Sequence, residues 1–578
     1  MDPTPAEPPP GCLVLLLRLS AGMTADVPTS RGDIPAFVAA RQLADEFLEG
    51  LVNTVAGGYA VGAVDVAVLG YRTSEGGTPQ LLSLLPDGDP MARFVPLAQV
   101  AEMPAVARGA EGQPRKWAVL PTCEGEPCAG DALASVYQMV SVWLTGRYSS
   151  RAPVVIHCTG SDGLDEAYSR VANSLTLLAT AHGPTRVLHY VFGEPTPPPP
   201  SLQGGDFWGG AGSLPGRVFV NDWDIGDPWD AIFSIAPQED GTAWTEADAG
   251  FAPARSMWAQ KMGNTPEQWE DAFALNEAGG AAAIADGASS GIYCSIWAQQ
   301  LSQRFLSDRP DTRDPVSLNK WVNGLRTEWR AAISYSTLNW SKQAKVNQVG
   351  AAATLLGLEL GPADANGKRP WRACAVGDAS LFWVRSGRLL ATFPVVAADQ
   401  FGSAPLLVRS SPGFRTVAIA AAGTCEPGDR FILATDAVAA RLFKSAALGP
   451  ELEWSRFEVI TEDEWRAELD ILRSANDMVN DDCTLVVLRV SGGSEEASEF
   501  EANWERQQPE ASLTQLAQLP GVDAPSSPQK EDAFIAADVG DLMIDVPHDP
   551  PAPEPEELPP DEPPATRDGF PESTDPGV

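Results

Sequence analysis

Apolar positions in the first part of the chain come in short, nearly unbroken runs: CLVLLLRLS, AVDVAVLGY, APVVIHCTG and TRVLHYVFG. Runs of this length, apolar on both faces, predict buried parallel strands. Between them the apolar spacing lengthens to that of a helix face. Leu43, Phe47 and Leu51 form one such stripe, and Leu133, Tyr137, Val140 and Leu144 form another. Strand and helix alternating in this way predict an α/β doubly wound domain over residues 11–195.

The rhythm changes from Phe251 to Val490. Two apolar strands flank NEAGG. Ile296, Trp297, Leu301 and Phe305 then mark one helix, and Leu318, Trp321, Val322, Leu325 and Trp329 mark a second. Asp314 and Pro315 supply that helix with a cap and a first turn. AAATLLGLEL, RACAVG, SLFWVRSGRLLATF, DRFILATD and CTLVVLRV follow as successive strands. Strands, two helices and more strands predict an α+β domain over 251–490, with helices laid on sheets.

The remaining stretches lack such periods. Residues 1–10, MDPTPAEPPP, predict a disordered lead, and 196–250 predict a proline- and glycine-rich linker whose second half, from 217, has no assignable element. Residues 491–578 are acidic and proline-rich, which predicts a disordered tail. One less polar island, DAFIAADVGDLMIDV, interrupts it. A chain of 578 residues exceeds one ordinary core, so a multidomain protein is expected.

Charge and cysteine content narrow the partners. A net charge of −37 repels phosphate backbones and argues against nucleic acid, while it suits cations. Eight cysteines without a CxxC pair read as reduced thiols of a cytoplasmic protein. The run CLVLLL is too short to span a bilayer and no basic residue precedes it, so no membrane association is expected.

Four aspartates in the second domain share one placement. Asp271 begins a strand in QWEDAFAL, Asp286 ends AAAIAD, Asp436 ends RFILATD, and Asp481 precedes CTLVV. Adjacent antiparallel strands bring the start of one beside the end of the next, so these carboxylates can meet at a sheet edge. Alone they would repel and take up protons. Hard divalent cations such as Mg²⁺ or Mn²⁺ would compensate them. Aspartates also sit at strand ends simply as turn residues, a reading that suits any one of the four better than all of them together.

The second domain resembles the metal-dependent protein phosphatases of the PPM, or type-2C, group. The resemblance rests on WEDAF, ADGASSG, GAAATLLG, CAVGDASLFWVRSGRL, GDRFILATDA and NDDCTLVVLRV, in that order. It implies an αββα sandwich of two antiparallel sheets flanked by helices. It further implies two Mn²⁺ or Mg²⁺ ions held by Asp271, Asp286, Asp436 and Asp481, with the Gly287 carbonyl as a ligand and Glu270 acting through water. Asp378 matches the position of a third, weaker metal. The implied chemistry is in-line attack on phosphorus by a water that the ions activate, with no covalent enzyme intermediate. Independently, residues 251–490 contain no histidine, which excludes a phosphohistidine or Ser-His mechanism there.

Departures from the group's pattern are specific. An arginine usually precedes the first acidic motif and binds the substrate phosphate; the nearest basic residues here are Lys261 and Arg255. Ala288 stands where some members carry a histidine, and Ala437 replaces the glycine of TDG. The first domain resembles von Willebrand factor A domains of bacterial stress-response clusters, through AVDVAVLGYRT and PCAGDAL. Its metal motif is degenerate, with Arg18 for an aspartate, Gly22 for a serine, Pro127 for a threonine, and Gly160 for an aspartate beside Asp162. No metal is expected there. Arg18, Ser20 and Thr159 could offer a protein-binding surface, or the domain could serve as a packing scaffold.

These readings lead to a serine/threonine phosphoprotein phosphatase of a bacterial signalling or stress-response system. Its partners would be a phosphorylated protein and a serine/threonine kinase. The alternative is a pseudophosphatase adaptor that binds phosphoprotein without hydrolysing it.

Overall fold

The structure is a computed structural model. It describes residues 9–29, 32–56, 63–74, 76–86, 89–103, 123–160, 164–192, 205–207, 217–220, 250–402, 405–448 and 452–491. Residues 1–8 of the lead, most of the proline- and glycine-rich stretch, the tail from 492 and Asp162 lie outside the described residues.

The first lobe is built from β1 (Gly11–Arg18), α1 (Ala36–Ala56), β2 (Val64–Thr73), β3 (Pro79–Ser83), α2 (Ala129–Leu144), β4 (Val154–Gly160), α3 (Glu166–Leu177) and β5 (Arg186–Phe192). Two short strands, β6 (Gly205–Phe207) and β7 (Arg217–Val220), complete it. The sheet order is β6-β7-β5-β4-β1-β2-β3, with β5, β4, β1 and β2 mutually parallel. Alternate residues of β1 serve opposite faces. Leu13, Leu15 and Leu17 pack with Leu43, Phe47 and Leu51 of α1. Cys12, Val14 and Leu16 belong to the core that α2 and α3 complete. Burial on both faces is why the strand reads as an unbroken apolar run, and the lobe is doubly wound. Strands β6 and β7 fall inside the stretch read as a linker. Their shortness, among glycines and prolines, hides any period of two.

Arg18, Ser20 and Thr159 do not form a binding surface. All three are buried, at 1 %, 0 % and 0 % exposure. The Arg18 guanidinium bonds the Ser20 hydroxyl, and the Tyr71 hydroxyl donates to Thr159. A guanidinium in a strand can be buried when its donors are satisfied within the core. A polar chain continues inward: Tyr71 Oη lies 2.8 Å from His157 Nε2, and His157 Nδ1 lies 2.7 Å from Tyr168 Oη, which also bonds His189. Tyr168 belongs to α3, so this chain fastens α3 to β4 and β5.

The second lobe has two five-stranded antiparallel sheets. Its elements are β8 (Phe251–Ala259), β9 (Ala272–Asn276), β10 (Ala281–Ala285), α4 (Cys294–Asp308), α5 (Pro315–Ala332), α6 (Trp340–Gln348), β11 (Leu355–Leu360), β12 (Arg369–Val376), β13 (Ser380–Arg385), β14 (Arg388–Phe393), β15 (Ile419–Cys425), β16 (Arg430–Ala434), α7 (Asp436–Leu448), α8 (Glu462–Ser474) and β17 (Cys483–Val490). One sheet runs β9-β10-β11-β12-β15 and the other β8-β17-β16-β13-β14. Ile284, Leu356 and Ala373 of the first meet Leu381, Phe431 and Val486 of the second in one apolar layer. Trp297, Leu318, Val322 and Trp329 of α4 and α5 cover the outer face of one sheet, while Leu442, Trp465 and Leu469 of α7 and α8 cover the other. The order of layers is helix, sheet, sheet, helix. Asp314 caps α5, accepting from the amides of Val316 and Ser317.

Helices α6, α7 and α8 were not anticipated from the spacing. The start of α8 carried a readable signal, because Thr461 and Glu464 form a reciprocal capping box.

The two lobes share one buried apolar cluster, which extends from α2 and α3 into the layer between the antiparallel sheets. Helix α3 lies along the edge strand β14. The Asn173 side-chain amide donates to the Leu390 carbonyl at 3.1 Å, and the Thr392 amide donates to Ser174 Oγ at 2.9 Å. Leu178, just beyond α3, bridges Ala421 on β15, the edge of the other sheet. One segment of the first lobe therefore covers an edge of each sheet, where unpaired backbone groups would otherwise invite further strands. No helix among the described residues is long and apolar enough to cross a membrane, and all eight cysteines are free thiols.

Asn173→Ala would leave the Leu390 carbonyl without this donor at a buried seam. It is expected to lower the unfolding free energy by roughly 1–3 kcal/mol in denaturant titrations of the full chain.

Candidate metal centre

Strand register explains how residues far apart in sequence arrive together. Ala272 of β9 stands opposite Ala285 of β10, so Asp271 and Asp286 flank the same end of one ladder. In the other sheet Ala434 of β16 pairs with Leu485 of β17. Beyond that pair, Thr435 and Thr484 are joined by hydrogen bonds, and Asp436 and Asp481 lie at the same end. The carboxyl of Asp286 feels the charges of Asp271, Asp436, Asp481 and Asp378 together. The structure thus gathers these five aspartates of the sequence reading into one neighbourhood.

Each carboxylate has its own support. Asp271 is buried, and its Oδ2 accepts from Thr484 Oγ1 at 2.8 Å. Its Oδ1 is buried with no protein hydrogen-bond partner. The backbone of Asp286 is pinned to Thr354, whose hydroxyl accepts from the Asp286 amide at 3.0 Å. Asp436 opens α7, and its Oδ1 accepts from the Ala437 amide. Asp378 sits in the turn between β12 and β13, after Gly377, whose φ of +100° favours glycine. A Cβ on Gly287 would collide with the Glu270 carbonyl oxygen, so the chain after Asp286 passes this wall only as glycine.

Burial and mutual repulsion act in the same direction on most of these acids. Asp271 and Asp286 are pushed well above the ordinary aspartate range by burial; the Thr484 hydrogen bond partly offsets this at Asp271, and neighbouring carboxylates add to it at both. Asp436 is raised by burial and by Asp481. Asp378 is pushed up to about 7 by burial and by Asp436. Glu270 is raised by burial, against the hydrogen bond from Ser289 and the charge of Lys261.

Lys261, the nearest basic residue before the first acidic motif, reaches this neighbourhood, which the spacing did not reveal. Its Nζ lies 2.9 Å from Asp481 Oδ1 and donates to Ser289 Oγ at 2.7 Å. Asp482 holds this corner: its two oxygens accept from the amides of Lys261, at 2.8 Å, and Glu270, at 2.7 Å. Arg255, the other basic candidate, turns away and donates to the Glu458 carbonyl.

The donor set suits a hard divalent ion. It consists of carboxylates and a carbonyl, it contains a buried oxygen without a partner, and burial raises the cost of charge on Asp271, Asp286 and Asp436, which a cation would offset. Among the described residues, no three acidic, histidine or cysteine side chains are drawn closely enough to hold one ion. One oxygen each of Asp271, Asp436 and Asp481 is instead engaged by Thr484, the Ala437 amide and Lys261. A cleft of about 660 Å³ opens beside Asp378, walled by Tyr137 and Val142 of α2 on one side and Pro394, Leu406 and Ile419 on the other. A second cavity, of about 330 Å³, lies where Tyr148 and Arg313 meet Trp371, and none of the five aspartates lines it.

No family model matches the chain, and no curated protein matches it. Among solved structures, the photosystem II phosphatase PBCP aligns at 16 % identity over 42 % of this chain and 99 % of its own, with a TM-score of 0.27. The serine/threonine phosphatase PstP/Ppp of Mycobacterium tuberculosis aligns at 12 % identity over 41 % and 98 %, with a TM-score of 0.29. The phosphatase domain of SpoIIE from Bacillus subtilis aligns at 15 % over 42 % and 94 %, with a TM-score of 0.22. At such identities and TM-scores none of these likenesses decides fold or function here.

The raised acids give a pH dependence with a definite sign. Asp378, at about 7 in the fold, holds a proton that an unfolded aspartate gives up near about 3.9. The stability this proton brings is complete below that lower value and is lost as pH rises through about 7. Buried His157 and His189, both lowered by desolvation, act in the opposite direction at lower pH, so the informative quantity is a difference. The melting temperature of metal-free Asp378→Asn, relative to the native chain, is expected to rise between about pH 5 and pH 8. Thermal melts in chelator across that range measure it.

Proposed function

We propose that the chain is a metal-dependent phosphatase of the PPM type, which removes phosphate from serine or threonine residues of proteins using Mn²⁺ or Mg²⁺. The observation that carries this reading is the convergence of four strand-end aspartates, two from each sheet, on one acidic neighbourhood. Asp271, Asp286, Asp436 and Asp481 would hold two ions, with the Gly287 carbonyl beside them and Glu270 acting through water. Asp378 would serve a third position. When bound, the ions supply charge neutralisation and an activated water for attack on phosphorus.

The chain's own residues prepare this chemistry. Thr484 fixes one oxygen of Asp271, leaving Oδ1 for an ion. Thr354 fixes the backbone at Asp286, and the clamp by Asp482 holds Glu270 in register with the loop that follows Asp286. The cleft beside Asp378 offers apolar walls to the polypeptide around a phosphorylated residue, and one of those walls is α2 of the first lobe. The substrate is a phosphoprotein and the natural counterpart a serine/threonine kinase in the cytoplasm. The resemblance of the first lobe to von Willebrand factor A domains gives it a role in presenting that partner.

A non-hydrolysing adaptor draws on one observation, that Lys261 already compensates Asp481. Turnover separates the two readings. The full chain is expected to hydrolyse an aryl phosphate and a phosphothreonine peptide with Mn²⁺ and not in chelator. Asp286→Asn is expected to lose at least about 100-fold in kcat/KM. Mn²⁺ binding by calorimetry with no turnover of either substrate would assign the adaptor.

A further inference from the structure

The Asp481 carboxylate is held by a charge that belongs to the chain itself. Lys261 Nζ contacts both Asp481 Oδ1, at 2.9 Å, and Ser289 Oγ, at 2.7 Å. Neither contact is left to a free surface side chain. The Lys261 backbone is anchored by Asp482, and the next residue, Met262, is anchored by Asn480 in both directions, amide to side chain and side chain to carbonyl. Ser289 lies three positions after Asp286, so the ammonium joins the loop after one sheet's carboxylate to the loop before the other's.

We propose that Lys261 is a tethered counter-cation of the acidic centre, which a divalent ion must displace from Asp481 in order to use that carboxylate. This inference rests on the proposed metal-dependent function. A monovalent charge held by an anchored segment competes with an ion arriving from solution, because two cations crowded on one carboxylate repel each other. Ions should therefore load unequally: a position that needs Asp481 fills only after Lys261 moves. Ser289 remains as an anchor for the displaced ammonium, so the movement is a swing about a fixed loop and not an unfolding step. Lys261 is on this account a positioning residue that sets metal occupancy.

The test is calorimetric titration of Mn²⁺ into the full-length native chain, Lys261→Met and Lys261→Arg. Lys261→Met keeps the length of the side chain without its charge, and its weaker Mn²⁺ step is expected to tighten about 10-fold. Lys261→Arg keeps the charge and is expected to bind as the native chain does. Equal affinity in native and Lys261→Met chains, or weaker binding in the latter, overturns the proposal while leaving the metal-dependent reading intact. Absence of Mn²⁺ binding in both overturns the two together. A second measurement needs no variant. Amine labelling of Lys261 in the native chain, followed by mass spectrometry, is expected to increase on adding Mn²⁺ while other lysines stay unchanged; a constant or reduced rate overturns the proposal.

Discussion

Repulsion among carboxylates held at close quarters sets the terms for the rest of this molecule. The antiparallel registers that bring Asp271 and Asp286 to one strand end, and Asp436 and Asp481 to one end of the other sheet, are fixed by whole ladders of backbone hydrogen bonds. The ladders fix the strand ends from which these acids project. The fold offsets their repulsion by distributing small compensations: a threonine hydroxyl for Asp271, a helix amide for Asp436 and an ammonium for Asp481. Each is weaker than a divalent cation would be. A site assembled in this way is stable enough to fold and remains poorly neutralised, which is the electrostatic condition for binding an ion.

The sheets that carry the acids depend in turn on the first lobe. Both have an edge facing it, and α3 with the residue at 178 covers those edges. Helix α3 is itself fixed from below by the buried chain Tyr71–His157–Tyr168–His189. The polar core of one lobe is thus linked, through a single helix, to the edge of the sheet that carries Asp436 and Asp481. Arg18 fits this structural use: buried and bonded to Ser20, it belongs to the packing of the lobe.

Much of this architecture was written in local pattern. The unbroken apolar runs became the parallel strands because those strands are covered on both faces. The stripes at Leu43 and Leu318 became helix faces because a period of 3.6 needs only neighbouring residues to declare itself. Asp271, Asp286, Asp436 and Asp481 could be singled out because a strand's end is visible in the sequence, as is the glycine that follows Asp286. Helices α6 and α7 escaped notice because alanine-rich or polar helices leave weak stripes.

What the sequence could not contain is which distant residues meet. Lys261 and Asp482, joined at the heart of the site, lie 221 positions apart, and Asn173 meets Leu390 across 217. No periodicity records such contacts, since they arise only when two sheets stack and a helix settles on their edges. Strand ends and helix faces were therefore determined by the residues themselves. The partner of each carboxylate, the burial of Arg18 and the covering of the sheet edges were decided by tertiary packing, because burial and charge compensation depend on every neighbour in space and not on neighbours along the chain.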